Sequence, residues 1–302
     1  MTKHTLPKYI DELNLDILSA KPIIHENALS SAVFLITLKK GERYILKIPY
    51  NEVRFNREVY FLKKLKNQIL VPKIEDTIIP TKTHSGAILM EYIEGDIVHQ
   101  PNLTNIIAHQ MGMLLAKLHK IPCDGYGKIG TTNKLDPNIK SAFAIFNKSF
   151  EEHIKECGLI FDAELLKKLD NYFSSNLSKI KSVDGPCITH RDFKPGNVIV
   201  KNDKIKSLID WEIAHYYFAE EDFSQMQYLV WNLYPHTKKT FFEGYKSQRP
   251  IPNLEIMPLL NLNKCLGAIG FTIVRDTYKN KHKFIFDFHM KFLKKFIKEN
   301  ID

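Results

Sequence analysis

The sequence predicts an α+β fold in which a small β-rich N-terminal lobe is followed by a larger and mainly helical lobe. The first observation is a series of short runs, rich in aliphatic and β-branched residues, that ends near residue 95. The second is that, beyond this point, apolar residues recur about every 3.6 positions, as on one face of a helix. We place the boundary between residues 1–92 and 93–302 and expect a cleft there, because ligands commonly bind between lobes.

A β-hairpin is predicted in the N-terminal lobe. The runs AVFLITL at 32–38 and YILKI at 44–48 flank a polar turn at 40–42. A further run, GAILMEY at 86–92, indicates another strand. Strands joined in this way favour a small antiparallel sheet.

The larger lobe is predicted to contain several helices. An apolar stripe at spacings of four, four, three and four predicts a helix over about 102–119. The stripe consists of Leu103, Ile107, Met111, Leu114 and Leu118. Similar periodicity predicts further helices near 141–156, 162–180, 221–233, 255–279 and 284–298.

Composition restricts the class of protein. Hydrophobic residues at 44% and charged residues at 25% are typical of a soluble globular chain, not of a disordered or collagen-like one. No run reaches the roughly 18 uninterrupted apolar residues of a membrane helix, and the opening residues 1–7 lack the apolar core of a signal peptide. Four scattered cysteines show no metal-ligand spacing. We therefore expect a cytoplasmic protein that does not bind a membrane.

The basic charge does not indicate a nucleic-acid partner. The formal net charge is +9, but only six of the 43 basic residues are Arg and the 37 Lys are spread along the chain. Arg recognises phosphate and guanine better than Lys does, and a nucleic-acid-binding surface needs clustered basic residues. The excess of Lys is therefore interpreted as solvated surface.

The segment most informative about chemistry is HRDFKPGNVIV at 190–200, followed by IKSLID at 205–210. Two apolar runs around a polar turn predict a hairpin. If the turn centres on Asp203-Lys204, Asn197 lies directly opposite Asp210 at the open end of the hairpin. An amide oxygen and a carboxylate suit Mg²⁺, and Asp192, in the preceding loop, is placed to act as a base for a substrate hydroxyl.

These residues carry a family resemblance. His190-x-Asp192-x-x-x-x-Asn197, with Asp210 on the next strand, resembles the catalytic loop and metal-binding strand of the bilobal protein-kinase-like fold. That fold also requires a strand lysine and a helix glutamate upstream. Lys47 and Glu58 are placed as required, and Glu58 lies on the apolar face of its helix, where a charge needs a partner.

One branch of the fold is favoured. Asp210 is followed by Trp211 and Glu212 where protein kinases have Asp-Phe-Gly, and no Ala-Pro-Glu follows. Only eleven residues lie between Asp210 and Asp222, where the next helix is expected to begin, which leaves little room for a peptide-docking segment. The sequence over about residues 25–250 resembles the aminoglycoside phosphotransferase and choline kinase group.

The resemblance implies roles for the catalytic and metal-binding residues. Asp192 would orient or deprotonate the acceptor hydroxyl, and His190 would brace the catalytic loop. Asn197 and Asp210 would bind Mg²⁺.

It also implies a site for ATP or GTP as co-substrate. Lys47 would hold the nucleotide phosphates and Glu58 would orient Lys47. Glu91, Tyr92 and Ile93, at the strand exit, would offer backbone groups to the base.

The turn at 25–31 departs from the kinase pattern, because it contains no glycine. Ser30 and Ser31 either face the phosphates through amides and hydroxyls or serve only as turn formers.

We therefore expect a kinase that phosphorylates a hydroxyl of a small cationic molecule. An aminoglycoside-like acceptor is placed slightly above choline or ethanolamine, and sugars, other amino alcohols and thiamine stay open. Two sets of side chains are candidates for the acceptor site, or are equally packing residues: an acidic rim and aromatic faces for an ammonium group. They are Glu212, Glu220, Glu221 and Asp222, and Trp211, Tyr216, Tyr217 and Trp231.

A catalytically inactive nucleotide-binding scaffold is the alternative of another class. The joint presence of a base and two metal ligands disfavours it, because a scaffold does not need them.

Two other features are interpreted as structural. His119 is expected to be a helix-end residue near the helix dipole rather than a catalyst. A stripe of large apolar residues in the last helix is expected to be buried rather than to anchor a membrane. It consists of Phe284, Ile285, Phe288, Phe292 and Phe296.

Overall fold

The N-terminal region of the computed structural model is built on an antiparallel sheet. The structure describes residues 6–23, 31–98, 103–130 and 141–302. Within these ranges the sheet has five strands in the order β1-β2-β3-β5-β4. They are β1 Ile17–Pro22, β2 Ala32–Leu38, β3 Arg43–Ile48, β4 Ile74–Ile78 and β5 Ala87–Glu91, preceded by helix α1 Leu6–Glu12. The antiparallel sheet of the α+β prediction is confirmed.

The predicted hairpin is β2–β3, and it fixes the position of Lys47. Val33 pairs with Lys47, and the turn contains Gly41 at a φ of 91°, which glycine adopts without strain. On its other edge β3 pairs with β5, with Lys47 opposite Ile88. Lys47 therefore lies in a strand with neighbours on both sides.

Helix α2, Glu52–Leu65, carries Glu58 against the sheet. Asn51 caps the helix by accepting a hydrogen bond from the Arg54 amide at 3.0 Å. Phe55 and Leu62, at −3 and +4 from Glu58, are buried, so that the glutamate lies on the inward face, as expected.

The C-terminal part is mainly helical, as predicted, with short strands between helices. The helices are α3 Asn105–His119, α4 Ala142–Cys157, α5 Ala163–Asn176, α6 Glu220–Met226, α7 His236–Lys246, α8 Met257–Val274 and α9 Lys283–Asn300. The strands are β6 Asp96–Ile97, β7 Cys187–Thr189, β8 Val198–Lys201, β9 Lys204–Leu208 and β10 His215–Tyr217. They form one sheet of order β6-β8-β9 and a pair β7–β10.

Several helices begin or end at residues other than those predicted from the apolar periodicity. Helix α3 begins at Asn105 because the Thr104 hydroxyl accepts from the Ile107 amide at 3.3 Å. The helix expected over 221–233 changes after α6 into a π-helical turn, Gln227–Trp231. Helix α7 was not predicted. It packs closely on α3 because Gly112 and Gly244 have no side chains at the contact.

The last two helices modify the membrane and stripe expectations. Helix α8 is long and apolar enough to cross a membrane by length and composition, but 61% of it is buried inside the protein, as in a core helix. The stripe in α9 is buried only towards its end. Phe296 is buried, whereas Phe284 and Phe288 are 55% and 43% exposed, so that a fully buried stripe was the wrong expectation.

Candidate active site

Lys47 is the centre of a buried ion-pair network. Its Nζ lies 2.5 Å from Glu58 Oε2, 2.7 Å from Asp210 Oδ1 and 3.5 Å from Glu212 Oε2. Burial by itself lowers the pKa of Lys47, but Asp210, Glu58 and Glu212 outweigh it and raise the pKa above its ordinary value. Lys47 is therefore a permanent cation that joins α2 to the segment after β9.

Glu58 is the most deeply buried of these carboxylates. Burial raises the pKa of Glu58 to about 7, in opposition to Lys47, which lowers it. Asp210 has a lowered pKa: burial acts to raise it, and the attraction of Lys47 outweighs burial. The pair Lys47–Asp210 thus stays ionised at a pH at which Glu58 begins to take up a proton.

Asp192 is held by three neighbours from the loop and from α6. Asn197 Nδ2 donates to its carbonyl oxygen at 2.8 Å and to its Oδ2 at 2.9 Å. Gln225 Nε2 donates to its Oδ1 at 2.7 Å, and Lys194 Nζ lies 2.8 Å from Oδ2. Its side chain is 18% exposed, so that the fixed carboxylate still reaches the cleft.

His190 braces the loop rather than facing the cleft. The Asp192 amide donates to its Nδ1 at 3.3 Å, so Nε2 carries the proton and donates to the Ile209 carbonyl at 2.9 Å. Burial lowers the pKa of His190. A neutral His190 therefore connects the Asp192 loop to the residue before Asp210.

Asp222 anchors the loop that carries Asp192, a role that the sequence does not indicate. Its carboxylate accepts from the amides of His190 at 2.9 Å and Arg191 at 2.6 Å, and from His119 Nε2 at 3.1 Å. Burial raises the pKa of Asp222, but the hydrogen bond from His119 and the loop amides outweigh burial and hold it below its ordinary value. His119, which also bonds Tyr245 at 3.0 Å, is thus a positioning residue.

The expected register of the β8–β9 hairpin is wrong. The turn is Asn202-Asp203, both at positive φ, with Lys201 opposite Lys204. A bulge then shifts the register, so that the Ile209 amide donates to the Asn197 carbonyl at 2.9 Å. Asn197 therefore faces Ile209.

Asp210 reaches the site by its backbone conformation instead. Its φ is 71°, in the left-handed region, and its carboxylate contacts Lys47. Positive φ at a non-glycine residue is uncommon and is concentrated at functional sites.

Asn197 and Asp210 have the donors that Mg²⁺ prefers. The Asp210 side chain is 36% exposed. Asn197 uses its Nδ2 for the bonds to Asp192, and the Asn197 Oδ1 accepts no hydrogen bond from the described residues, so it is available to a cation. The carboxylate oxygens of Glu58, Asp210 and Glu212 also lie within 4.8 Å of one another. Lys47 lies within 3.5 Å of an oxygen of each of these three carboxylates, and Arg54 pairs with Glu212, so the Asn197–Asp210 pair fits a cation better.

Ser31 lies at the site, but its hydroxyl is engaged. It donates to Glu212 Oε2 at 2.5 Å, while Arg54 pairs with Glu212 Oε1. Glu212 therefore links the start of β2 to α2 and does not belong to an open acidic rim. Ser30 falls in the range 24–30, outside the described residues.

One cavity of about 1010 Å³ unites the predicted site residues. Those that line it are Lys47, Glu58, Ser31, Glu91, Tyr92, Ile93, Asp192, Asn197 and Asp210. The side chains Ile45, Met90 and Ile209 give its sheet side an apolar character suited to a flat base. A polar end with a charged lysine and a fixed carboxylate thus adjoins an apolar slot.

The other acceptor candidates are buried, which favours the packing interpretation. Among them Glu212 also lines the cavity, where it is bonded to Ser31 and Arg54. Each is at most 5% exposed, so they form neither an exposed acidic rim nor an open aromatic cage. They are Trp211, Glu212, Tyr216, Tyr217, Glu220, Glu221, Asp222 and Trp231. The cavity wall is completed instead by residues near the α8–α9 connection, which no sequence motif indicates.

The sequence model of a phosphotransferase enzyme family matches residues 23–254. No curated protein sequence matches the chain. The solved structure of aminoglycoside phosphotransferase APH(4)-Ia is similar at a TM-score of 0.75 and 12% identity, over 98% of this chain and 99% of the other.

Two further solved structures share the fold. The ADP-bound aminoglycoside phosphotransferase APH(2'')-Ib has a TM-score of 0.64 and 16% identity, over 100% of this chain and 97% of the other. Macrolide 2'-phosphotransferase MphH from Brachybacterium faecium has a TM-score of 0.63 and 16% identity, over 90% and 92%. At these identities the likeness establishes the kinase-like fold.

Proposed function

The chain belongs to the phosphotransferase enzyme family, and from this premise we propose that it transfers the γ-phosphate of ATP or GTP to a hydroxyl of a small molecule. The observation that carries the proposal is the convergence of Lys47, Asp192, Asn197 and Asp210 on one cavity. Residues 1–92 would form the nucleotide-binding lobe and residues 93–302 the catalytic and substrate-binding lobe of a cytoplasmic enzyme.

The nucleotide would bind along the sheet side of the cavity. Its base would lie on the apolar slot near Glu91, Tyr92 and Ile93, and Lys47 would contact its phosphates. Because Glu58 and Asp210 hold Lys47 from two elements, its amine is fixed before the nucleotide arrives. A solved complex of APH(4)-Ia with ADP supports a nucleotide co-substrate for the fold.

Asn197 and Asp210 would hold Mg²⁺, which neutralises the phosphate charge when bound. Asp192 would accept the proton of the acceptor hydroxyl as its oxygen forms a bond to the γ-phosphorus and the bond to the β-phosphate oxygen breaks. Gln225 and Lys194 keep the Asp192 carboxylate in place for that step.

The acceptor is proposed to be small and hydroxylated. The family resemblance favours an aminoglycoside-like compound, with choline or ethanolamine as the alternative, and APH(4)-Ia has been solved with hygromycin B. The acidic and aromatic side chains that the sequence offers for an ammonium-bearing acceptor are buried, so their charge and aromatic faces supply no argument for one acceptor over the other.

The test is phosphate transfer from Mg²⁺–ATP to a panel of aminoglycosides, choline, ethanolamine and simple sugars. Asp192→Asn should lower kcat by about 10²–10⁴, the usual contribution of a positioned base. Asp203→Asn is the matched control, because Asp203 lies in a turn at positive φ that Asn tolerates.

Competition by GTP would identify the preferred nucleotide. A protein that binds Mg²⁺–ATP yet transfers phosphate to nothing, with Asp192→Asn unchanged, is the inactive scaffold and not the enzyme.

A further inference from the structure

The connection between α8 and α9 forms a wall of the cavity that Asp192 also lines. Helix α8 packs on α6, and α6 carries Gln225, which bonds Asp192. The connection that follows α8 contributes Arg275, Thr277, Lys281 and His282 to the cavity lining. An acceptor that presents its hydroxyl to Asp192 and extends across the cavity would therefore meet these side chains.

The cations of this wall have one acidic neighbour in the connection, Asp276, which is exposed and does not line the cavity. Arg275 and Lys281 are exposed to the cleft, and neither is in a salt bridge within the described parts of the chain. The guanidinium of Arg275 lies 3.8 Å from the centre of the Phe271 ring, which orients it without neutralising it. Lys194, by contrast, is paired with Asp192.

His282 adds a buried polar atom in need of a partner. It is 4% exposed, and its Nδ1 shares a 2.7 Å hydrogen bond with the Thr277 hydroxyl. Its Nε2 has no hydrogen-bond partner among the residues described. Such atoms are rare unless a ligand or a water completes them. Helix α9 begins at the next residue, Lys283, so the positive end of its dipole lies at the same place.

The carboxylates of the cavity have cationic partners already, except Glu91 at the strand exit, which accepts from the Lys73 backbone amide. Glu212 bonds Arg54, Asp192 bonds Lys194, and Asp210 bonds Lys47. An acceptor with several ammonium groups would have to displace one of these cations while it lies against Arg275 and Lys281. Juxtaposed like charges disfavour that binding mode.

We propose that the acceptor bears an anionic group, a carboxylate or a phosphate, that binds Arg275, Lys281 and His282 while its hydroxyl faces Asp192. This inference rests on the proposed kinase function and narrows its substrate class.

The test uses four sugars with one ring skeleton: glucose, glucosamine, glucuronate and glucose 6-phosphate. Their binding to the full-length protein with Mg²⁺ and AMP-PNP is measured by calorimetry or ligand-detected NMR. At least one of the two anions should bind about tenfold more tightly than glucosamine, which corresponds to about 1.4 kcal/mol. The ratio of glucuronate to glucose 6-phosphate distinguishes a carboxylate site from a phosphate site.

Variants assign the preference to the wall. Arg275→Gln with Lys281→Gln should reduce the preference to less than about twofold and leave AMP-PNP affinity unchanged. Lys279→Gln is the matched control, because Lys279 is exposed on the same connection and does not line the cavity. Equal or tighter binding of glucosamine, no binding of either anion, or a preference that survives the double variant would overturn the proposal.

The two proposals fail separately. Asp192-dependent phosphorylation of an aminoglycoside in preference to any anion would reject the anionic acceptor and keep the kinase. Anion binding that needs Arg275 and Lys281, without phosphate transfer to any acceptor, would reject the kinase and keep the binding site.

Discussion

Replacement of Asp222 by Ala should destabilise the protein and disable the loop that carries Asp192. The carboxylate is fully buried and accepts from two backbone amides and from His119. Hydrogen bonds to a charged group contribute about 1.5–3 kcal/mol each, and buried donors left without an acceptor add a desolvation penalty. Because such contributions overlap in one network, we expect a loss of about 3–5 kcal/mol in the free energy of unfolding.

The assay is urea unfolding followed by circular dichroism, together with phosphate transfer by the folded fraction. Asp222→Asn keeps one acceptor oxygen and should lose about half as much stability. Turnover should fall about 10²-fold in either variant, since a displacement of about 1 Å at Asp192 is enough for that. Asp124→Ala, at an exposed position, is the control.

The pH dependence has a definite sign. The pKa of Asp222 is lower in the folded protein, so its contribution is present at neutral pH and is lost as the pH falls from the ordinary carboxyl range through the lower pKa of the folded protein. Asp222→Ala should therefore flatten the acid limb of the stability curve. A loss below about 1 kcal/mol, or a wild-type acid limb in Asp222→Ala, would refute the anchoring role.

Three further predictions follow from the same geometry. In the free enzyme, kcat/KM for ATP should rise as the pH increases through about 7, because Glu58 then ionises and holds Lys47. Glu58→Gln should be slower and should not show this rise. A rise that persists in Glu58→Gln would assign the titration to another group. Asn197→Ala should raise the Mg²⁺ concentration for half-maximal activity about tenfold at fixed nucleotide, and an unaltered requirement removes Asn197 from the metal site. Gly112→Ala should cost about 1–3 kcal/mol or more in urea unfolding, because its Cβ would lie 2.0 Å from the Phe241 carbonyl, whereas Gly125→Ala, with open space around it, should be neutral.

Local patterns were sufficient for the framework of the molecule. The strands 32–38 and 44–48 and the helix near 102–119 were predicted within a few residues, because alternation and helical period are properties of consecutive side chains. The inward position of Glu58 followed from the same reasoning. The predicted register of the β8–β9 hairpin is wrong, because a β-bulge adds one residue to a strand and the apolar pattern of the sequence does not indicate it.

The roles of acidic residues were harder to assign, because they depend on contacts far apart in the chain. Glu212 bonds Ser31, 181 positions away, and Asp222 bonds His119, 103 positions away. A helix-start signal and a buried loop anchor look alike in sequence at Asp222. The one local hint is that Gln225 lies three residues later, on the same face of α6, where it reaches Asp192.

The residues proposed to transfer phosphate can be recognised in the sequence, whereas those proposed to select the acceptor cannot. The proposed catalytic residues match the motif spacings of the kinase-like fold, so that they can be recognised in the sequence. They are Lys47, Asp192, Asn197 and Asp210. The wall at 275–282 has no such constraint, and the packing of α8 on α4, α6 and α9 places it at the cavity. If the acceptor binds as proposed, a change of acceptor charge would need substitutions only in this connection and none at Lys47, Asp192, Asn197 or Asp210. Exchange of Arg275 and Lys281 for glutamate should accordingly reverse the preference between glucuronate and glucosamine, measured as the ratio of their dissociation constants, without loss of AMP-PNP binding.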